Sequence, residues 1–207
     1  LQVRRFEPAI SLETAIFLNL DGGEYARQDR LRATELGIVV AASVAVHVVE
    51  KRQAVGLVTN GCDPLQDSAF SAEHDPASAE EGDEAAGVDC AQLAPALPLR
   101  KGREHLMRLL DLLARIELAY EEGAVPFLEL LSRKSLELPW GSTVVAVTSR
   151  EVKGLMSTLL ALRRRGLVVI LVLTCPDRDL KLTRQRAEQI GVQAVPIWSE
   201  QGLEVWR

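Results

Sequence analysis

At 207 residues, 47% apolar and 26% charged, the chain is long enough to bury one sizeable core, and its composition is that of a globular domain rather than a disordered or fibrous one. Aromatic residues make up only 4%, so the core must be built from Leu, Val, Ala and Ile, and surfaces for stacking on nucleic-acid bases are scarce. The net charge of −5 is local: from Arg52 to Arg100 there is no intervening Lys or Arg and nine acids, and the remainder carries 24 basic against 20 acidic residues.

The chain opens on Leu1 rather than Met, which predicts a piece of a longer protein. Ile10, Leu12, Ile16, Leu18 and Leu20 alternate with the period of a strand, and Ala15 and Phe17 fill its second face, so the strand should be buried on both sides as it approaches Asp21. It runs out through "FLNLDGGEY", an aspartate and two glycines before a helix. A helix is expected from about 29 to 52, with the apolar centre "GIVVAASVAVHVV". That run of about 13 residues falls short of the ~20 a membrane span needs, and predicts a helix buried against a sheet. "AVGLVTN" (54–60) reads as a second short strand, ended by Asn60-Gly61. Residues 63–92, rich in Ala, Ser, Glu and Asp without apolar period, read as an acidic disordered insertion. "AQLAPALPLR" is a strand whose prolines suit an edge position.

Helical period returns in "GREHLMRLLDLLARIELA", with Leu106, Leu109, Leu110 and Leu113 on one stripe. "PFLELLSRKS" is a shorter helix opened by Pro126. "STVVAVTS" is a strand of buried type, "EVKGLMSTLLALRRRG" a helix stopped by Gly166, "LVVILVLT" the most apolar strand, "DLKLTRQRAEQIG" a helix stopped by Gly191, and "VQAVPIW" a last strand. Unbroken Val/Ile/Leu strands alternating with helices predict a three-layer α/β/α fold, with a mostly parallel, doubly wound sheet and one antiparallel edge strand. The whole chain, 1–207, reads as one domain.

Ligands of such sheets bind beyond the carboxyl ends of the strands. Four such ends are legible: Asp21-Gly22-Gly23, Asn60-Gly61, Thr148-Ser149-Arg150 and Thr174-Cys175-Pro176-Asp177. The chain has neither GxGxxG nor GxxxxGK[ST], and acids at 21 and 24 would repel a phosphate; Gly22-Gly23 reads instead as a tight exit turn, with Asp21 or a nearby polar residue capping the helix. There is no GxSxG elbow for a nucleophile. His47 falls in the apolar helix, His74 in the acidic segment and His105 in a first helical turn, without metal-ligand spacing. The three cysteines, Cys62, Cys90 and Cys175, form no CxxC. Their odd count fits a reducing compartment; a bridge between Cys62 and Cys90, or a zinc site from Cys62, His74 and Cys90, is the bonding their placement would allow. Arg163, Arg164, Arg165, Arg178, Lys181, Arg184 and Arg186 could form a basic patch from two helix ends, against which stands their role as solvated faces complementing helix dipoles.

The ordered series "LQVRRFEPAISLETAIFLNLD", "RATELGIVVAASVAVHVVEKRQAVGLVTNG", "LPLRKGREHLMRLLDLLARIE" and "LPWGSTVVAVTS" resembles the C-terminal, von Willebrand factor A-like part of the prokaryotic domain-of-unknown-function family fifty-eight. The resemblance covers nearly the whole chain outside the acidic segment. It implies a Rossmann-like A-domain fold, a cytoplasmic domain preceded in the longer protein by membrane-spanning helices, and a role in complex assembly beside a MoxR-type AAA ATPase.

Metal-binding A-domains hold Mg²⁺ or Mn²⁺ through Asp-x-Ser-x-Ser, a threonine and a further aspartate, because a hard cation wants several oxygens. By resemblance Asp21 matches the first aspartate, while Gly23 and Tyr25 stand where the serines would be. Gly102-Arg103-Glu104 stands where Gly-x-Thr would be, and Thr148-Ser149 where the last aspartate would be, with Arg150 beside it. This implies a degenerate site with no cofactor and no catalytic residue. Glu24, Glu104 or Ser149 would be the substitute oxygens for a Mg²⁺ or Mn²⁺ ion. The expected activity is therefore protein binding, on a surface including Asp21, Glu24, Asn60, Arg103, Thr148 and Arg150. The competing readings are a metal-dependent or small-ligand enzyme using the same strand ends, and a nucleic-acid binder using the basic helices, the latter not expected.

Overall fold

The computed structural model describes residues 13–25, 28–65, 96–119, 125–176 and 179–199. Six strands, β1 (Glu13–Leu18), β2 (Ala54–Thr59), β3 (Ala96–Arg100), β4 (Thr143–Thr148), β5 (Val168–Thr174) and β6 (Gln193–Ile197), form one sheet in the order β3-β2-β1-β4-β5-β6. All neighbours are parallel except β2 and β3. Five helices are described: α1 (Arg30–Glu50), α2 (Arg103–Arg115), α3 (Phe127–Lys134), α4 (Leu155–Arg164) and α5 (Leu180–Gln189).

Alternation along the strands sorts the layers. Ile16, Leu18, Leu57, Val145 and Val147 pack with α1 and α2 on one face. Ala15, Phe17, Val144, Ala146 and Leu171 pack with α3, α4 and α5 on the other. Buried on both sides, the strands need no polar face, which is why they read as unbroken apolar runs. β1 is described from Glu13, so Ile10 and Leu12 lie outside the described residues.

α1 is longer than its apolar centre suggests. At 21 residues it passes the length and composition test for a membrane span, yet half of its most apolar stretch is buried within the fold. Ala33, Leu36, Val40, Ala41, Val44, Ala45 and Val48 make its buried stripe, the spacing of a helix lying on a sheet. Its small residues permit close approach; a Cβ on Gly37 would already stand 3.3 Å from Leu18 Cδ1.

β3 decides the route of the middle of the chain. Ala96 pairs with Val58 and Arg100 with Val55, so β3 carries the chain back to the amino end of the sheet. α2 therefore starts there, with His105 buried in its first turn and Nε2 2.9 Å from the Val55 carbonyl oxygen. It rises to the carboxyl end, where the segment after it forms bridges Cys62–Glu117 and Asp21–Ala119. Gly61 makes that approach possible: a Cβ there would meet Glu117 O and Leu20 Cδ1 at 2.7 Å.

Of the acidic segment, Asp63, Pro64 and Leu65 are described and residues 66–92 lie outside the described residues, as do His74 and Cys90 and any bridge or zinc site involving them. Asp63 does not belong to a loose insertion. It is buried and takes two hydrogen bonds from Arg115, Nε to Oδ1 at 2.8 Å and Nη2 to Oδ2 at 2.9 Å. Those bonds hold its carboxyl below the usual aspartate range.

Candidate functional site

The chain leaves β1 toward β2 on one side and resumes at β4 on the other, so the strand order reverses between β1 and β4. The crevice above that reversal is where α/β sheets place ligands. Its floor here is a network of buried side-chain amides and hydroxyls. Asn19, fully buried just beyond β1, donates from Nδ2 to Glu24 Oε2 at 2.6 Å and to Thr148 Oγ1 at 3.1 Å. Its Oδ1 accepts from Asp21 N at 3.1 Å and from Asn60 Nδ2 at 3.2 Å. Asn60 accepts from Leu20 N at 2.6 Å and donates to Val125 O at 3.0 Å. Four chain segments, ending β1, β2 and β4 and entering α3, are thereby tied at one point.

A 3-10 turn, Gly22–Glu24, follows. Asp21 Oδ1 accepts from Gly23 N at 2.8 Å, so it caps this turn and not α1, whose N-cap residue is Asp29. Gly22 N donates to Ala119 O at 2.9 Å. Tyr25 turns inward: it is buried and its hydroxyl donates to the Asn19 carbonyl oxygen. Burial pushes its phenol well above the ordinary range. Glu24 is half-buried, and desolvation raises its carboxyl above the usual value, aided by the Asp21 charge and opposed by the Asn19 hydrogen bond and by Arg150. Ser149 is buried, and its Oγ has no hydrogen-bond partner among the described residues.

The structure thus gathers Asp21, Gly23, Glu24, Tyr25, Asn60, Thr148, Ser149 and Arg150 at the carboxyl end, and corrects two expectations. Gly102, Arg103 and Glu104 follow β3 at the opposite end of the sheet, because β3 is antiparallel. They supply nothing to the crevice; Glu104 is exposed and pairs with Arg108 at 2.5 Å. Asn60 and Thr148 are 3% and 1% exposed, so they hold the floor rather than form a surface. The charged groups the site shows to solvent are those of half-buried Asp21, Glu24 and Arg150, beside exposed Gly23. Asn19, the hub, escaped the sequence reading; its signal was a carboxamide inside the apolar run "FLNL". Among the described residues no group of three or more His, Cys, Asp and Glu is placed to hold a metal ion.

The basic residues do not form one patch. α4 ends at the amino end of the sheet, where Arg163 donates to Leu167 O at 3.2 Å and Arg165 to Ser135 Oγ and O at 3.2 and 3.3 Å. Lys181 opens α5 at the carboxyl end, and Arg186 pairs with Glu151 at 3.2 Å. Arg178 lies outside the described residues.

No protein-family model matches the chain, and no curated protein matches it. Solved structures do. The conserved hypothetical protein BatB from Bacteroides thetaiotaomicron matches at TM-score 0.53 and 13% identity, covering 94% of this chain and 95% of that one. An aerotolerance-related membrane protein from Bacteroides fragilis matches at 0.55 and 12%, covering 94% and 96%. A von Willebrand factor type A structure from Catenulispora acidiphila matches at 0.52 and 11%, covering 93% of this chain and 41% of that one. At these identities the likeness establishes the fold, which is von Willebrand factor A-like: a six-stranded, mostly parallel sheet between two helical layers.

Proposed function

We propose that the chain is a protein-binding module of von Willebrand A type, belonging to the domain-of-unknown-function family fifty-eight and working from the carboxyl end of its sheet without a bound metal ion. The observation that carries the reading is the contrast at that end. Half-buried Asp21, Glu24 and Arg150 stand above a floor of buried, mutually bonded Asn19, Asn60 and Thr148. Charges held on such a rigid base are the usual construction of a recognition surface.

The residues at the crevice do not fit a Mg²⁺ or Mn²⁺ cage. Gly23 brings no side-chain oxygen, the Tyr25 hydroxyl is turned inward, and Asn19 occupies Thr148 Oγ1. The Arg150 charge acts on the Glu24 carboxylate, where a cation would have to compete with it. The Ser149 hydroxyl is buried and has no hydrogen-bond partner among the described residues, a single neutral oxygen where a hard cation wants several. We therefore derive no chemistry through a metal.

The partner proposed is a MoxR-type AAA ATPase, met on the cytoplasmic side by a longer, membrane-anchored protein. Support for the membrane context is a structural neighbour described as an aerotolerance-related membrane protein. The test is capture of the ATPase encoded nearby by the membrane-extracted full-length protein, repeated with Glu24→Lys and Arg150→Glu. Capture lost in both variants supports the reading; repeated failure of the unaltered protein sinks it. Calorimetric titration with Mg²⁺ and Mn²⁺ tests the metal clause, which micromolar binding would overturn.

A further inference from the structure

Beside the crevice lies a cleft of about 330 Å³, between the loop leaving β4 and helix α5, above the carboxyl ends of β4 and β5. Its size is that of a small recognition pocket. Its wiring is specific. Glu151 reaches across to α5, accepting from Thr183 Oγ1 at 2.7 Å and from Arg186 Nη1 at 3.2 Å, so both of its carboxylate oxygens are engaged within the fold. Arg150 and Lys153 line the loop side, and Asp179 lines the helix side without capping α5. Among the described residues the lining carries three cations, Arg150, Lys153 and Arg186, against two acids, Glu151 and Asp179, an excess of one positive charge. The N-termini of α4 and α5 both lie at this end of the sheet, which adds to the preference for a negative group.

We propose that this cleft docks a protein partner through one carboxylate side chain flanked by apolar residues. This rests on the protein-binding reading above and deepens it by naming the partner's chemistry. An excess of one charge matches a single Asp or Glu. A phosphate dianion would leave surplus negative charge beside Glu151 and Asp179, and no glycine-rich run of backbone N–H groups is present to cradle it. Apolar wall is available for the flanking residues from Pro176, Leu180 and Leu182, the last 45% exposed at the rim. Arg150 belongs to both the cleft and the Asp21–Glu24 crevice, so one bound segment can span the two.

The experiment is a two-dimensional amide NMR titration of the 207-residue chain with acetyl-Leu-Glu-Leu-amide, with acetyl-Leu-Gln-Leu-amide, and with inorganic phosphate. The expected result is saturable shifts in 150–154 and 179–183 with the Glu peptide. Binding should weaken roughly tenfold or more with the Gln peptide and in Lys153→Glu, the loss of one charge-assisted contact. Lys153 is exposed, and an otherwise unchanged spectrum verifies its fold; Leu182→Asn, also at an exposed position, serves as the second variant and should weaken binding of both peptides. Equal response to the two peptides, tighter binding of phosphate, or no shift at millimolar peptide overturns the proposal. Shifts confined to residues 19–24 also overturn it while leaving the protein-binding reading intact. Failed ATPase capture with normal cleft binding removes the named partner and leaves the cleft.

Discussion

Replacing Asn60 by Ala should cost about 2–6 kcal/mol of stability. The side chain is 3% exposed and serves Leu20 N at 2.6 Å, Val125 O at 3.0 Å and Asn19 Oδ1 at 3.2 Å. Asn19 Oδ1 keeps a second donor in Asp21 N, so the real losses are the Leu20 amide and the Val125 carbonyl, both on buried residues. Each buried group left unpaired costs roughly 1–3 kcal/mol, and their sum is a large share of the ~5–15 kcal/mol that holds a domain together. Asn60→Asp sharpens the argument. It keeps the acceptor for Leu20 N but sets a carboxylate oxygen against the oxygens of Val125 and Asn19. Burial among acceptors raises the folded pKa of the new carboxyl above its unfolded value. The variant should therefore lie nearest the unaltered protein at pH 4, where a protonated carboxyl donates one hydrogen bond, and fall away as pH rises to 7. Urea unfolding followed by circular dichroism, with all three proteins measured at both pH values, reads the differences. The reasoning fails if the Ala variant loses less than about 1 kcal/mol, or if the Asp variant's deficit does not grow with pH.

Asp63→Asn should remove part of the acid sensitivity of folding. The Arg115 bonds lower the Asp63 pKa in the folded state, so its contribution is full above the unfolded aspartate value and is lost as pH falls through the folded value; urea midpoints taken downward from pH 6 should converge for the two proteins. Gly61→Ala puts a Cβ 2.7 Å from Glu117 O and Leu20 Cδ1, and should cost about 1–3 kcal/mol, read as a lowered thermal midpoint. Glu24→Gln should be neutral or stabilising at pH 7. The folded Glu24 pKa is raised by burial, so the carboxylate opposes folding above that value, and Gln still accepts from Asn19; a clear destabilisation at pH 7 with none at pH 4 would contradict this.

The elements themselves were legible in the sequence because each rests on local physics. Unbroken Val/Ile/Leu runs such as 168–174 make two-sided strands, and the period of Leu106, Leu109, Leu110 and Leu113 marked α2, although its buried leucines are Leu109, Leu112 and Leu113. Prolines marked β3 as an edge, and Gly22-Gly23 marked a tight exit turn. Position along the chain also sufficed to bring Asp21, Glu24, Ser149 and Arg150 to one end, since every parallel strand delivers its successor there.

What local pattern does not carry is the direction of a strand against its neighbour or the partner of a buried polar group. The antiparallel pairing of β3 with β2 alone sends Gly102, Arg103 and Glu104 to the far end of the sheet, and it brings residues 116–119 and Val125 to the crevice instead. The same three-dimensional closure turns Asn19 and Asn60 into a buried joint, 41 residues apart in sequence, and sets Glu151 across the cleft from Thr183 and Arg186. Hydrogen-bond satisfaction in a desolvated interior is a pairwise, long-range condition. Composition and period determined what this chain would build; only the tertiary structure decided which of its polar residues hold the fold and which reach solvent.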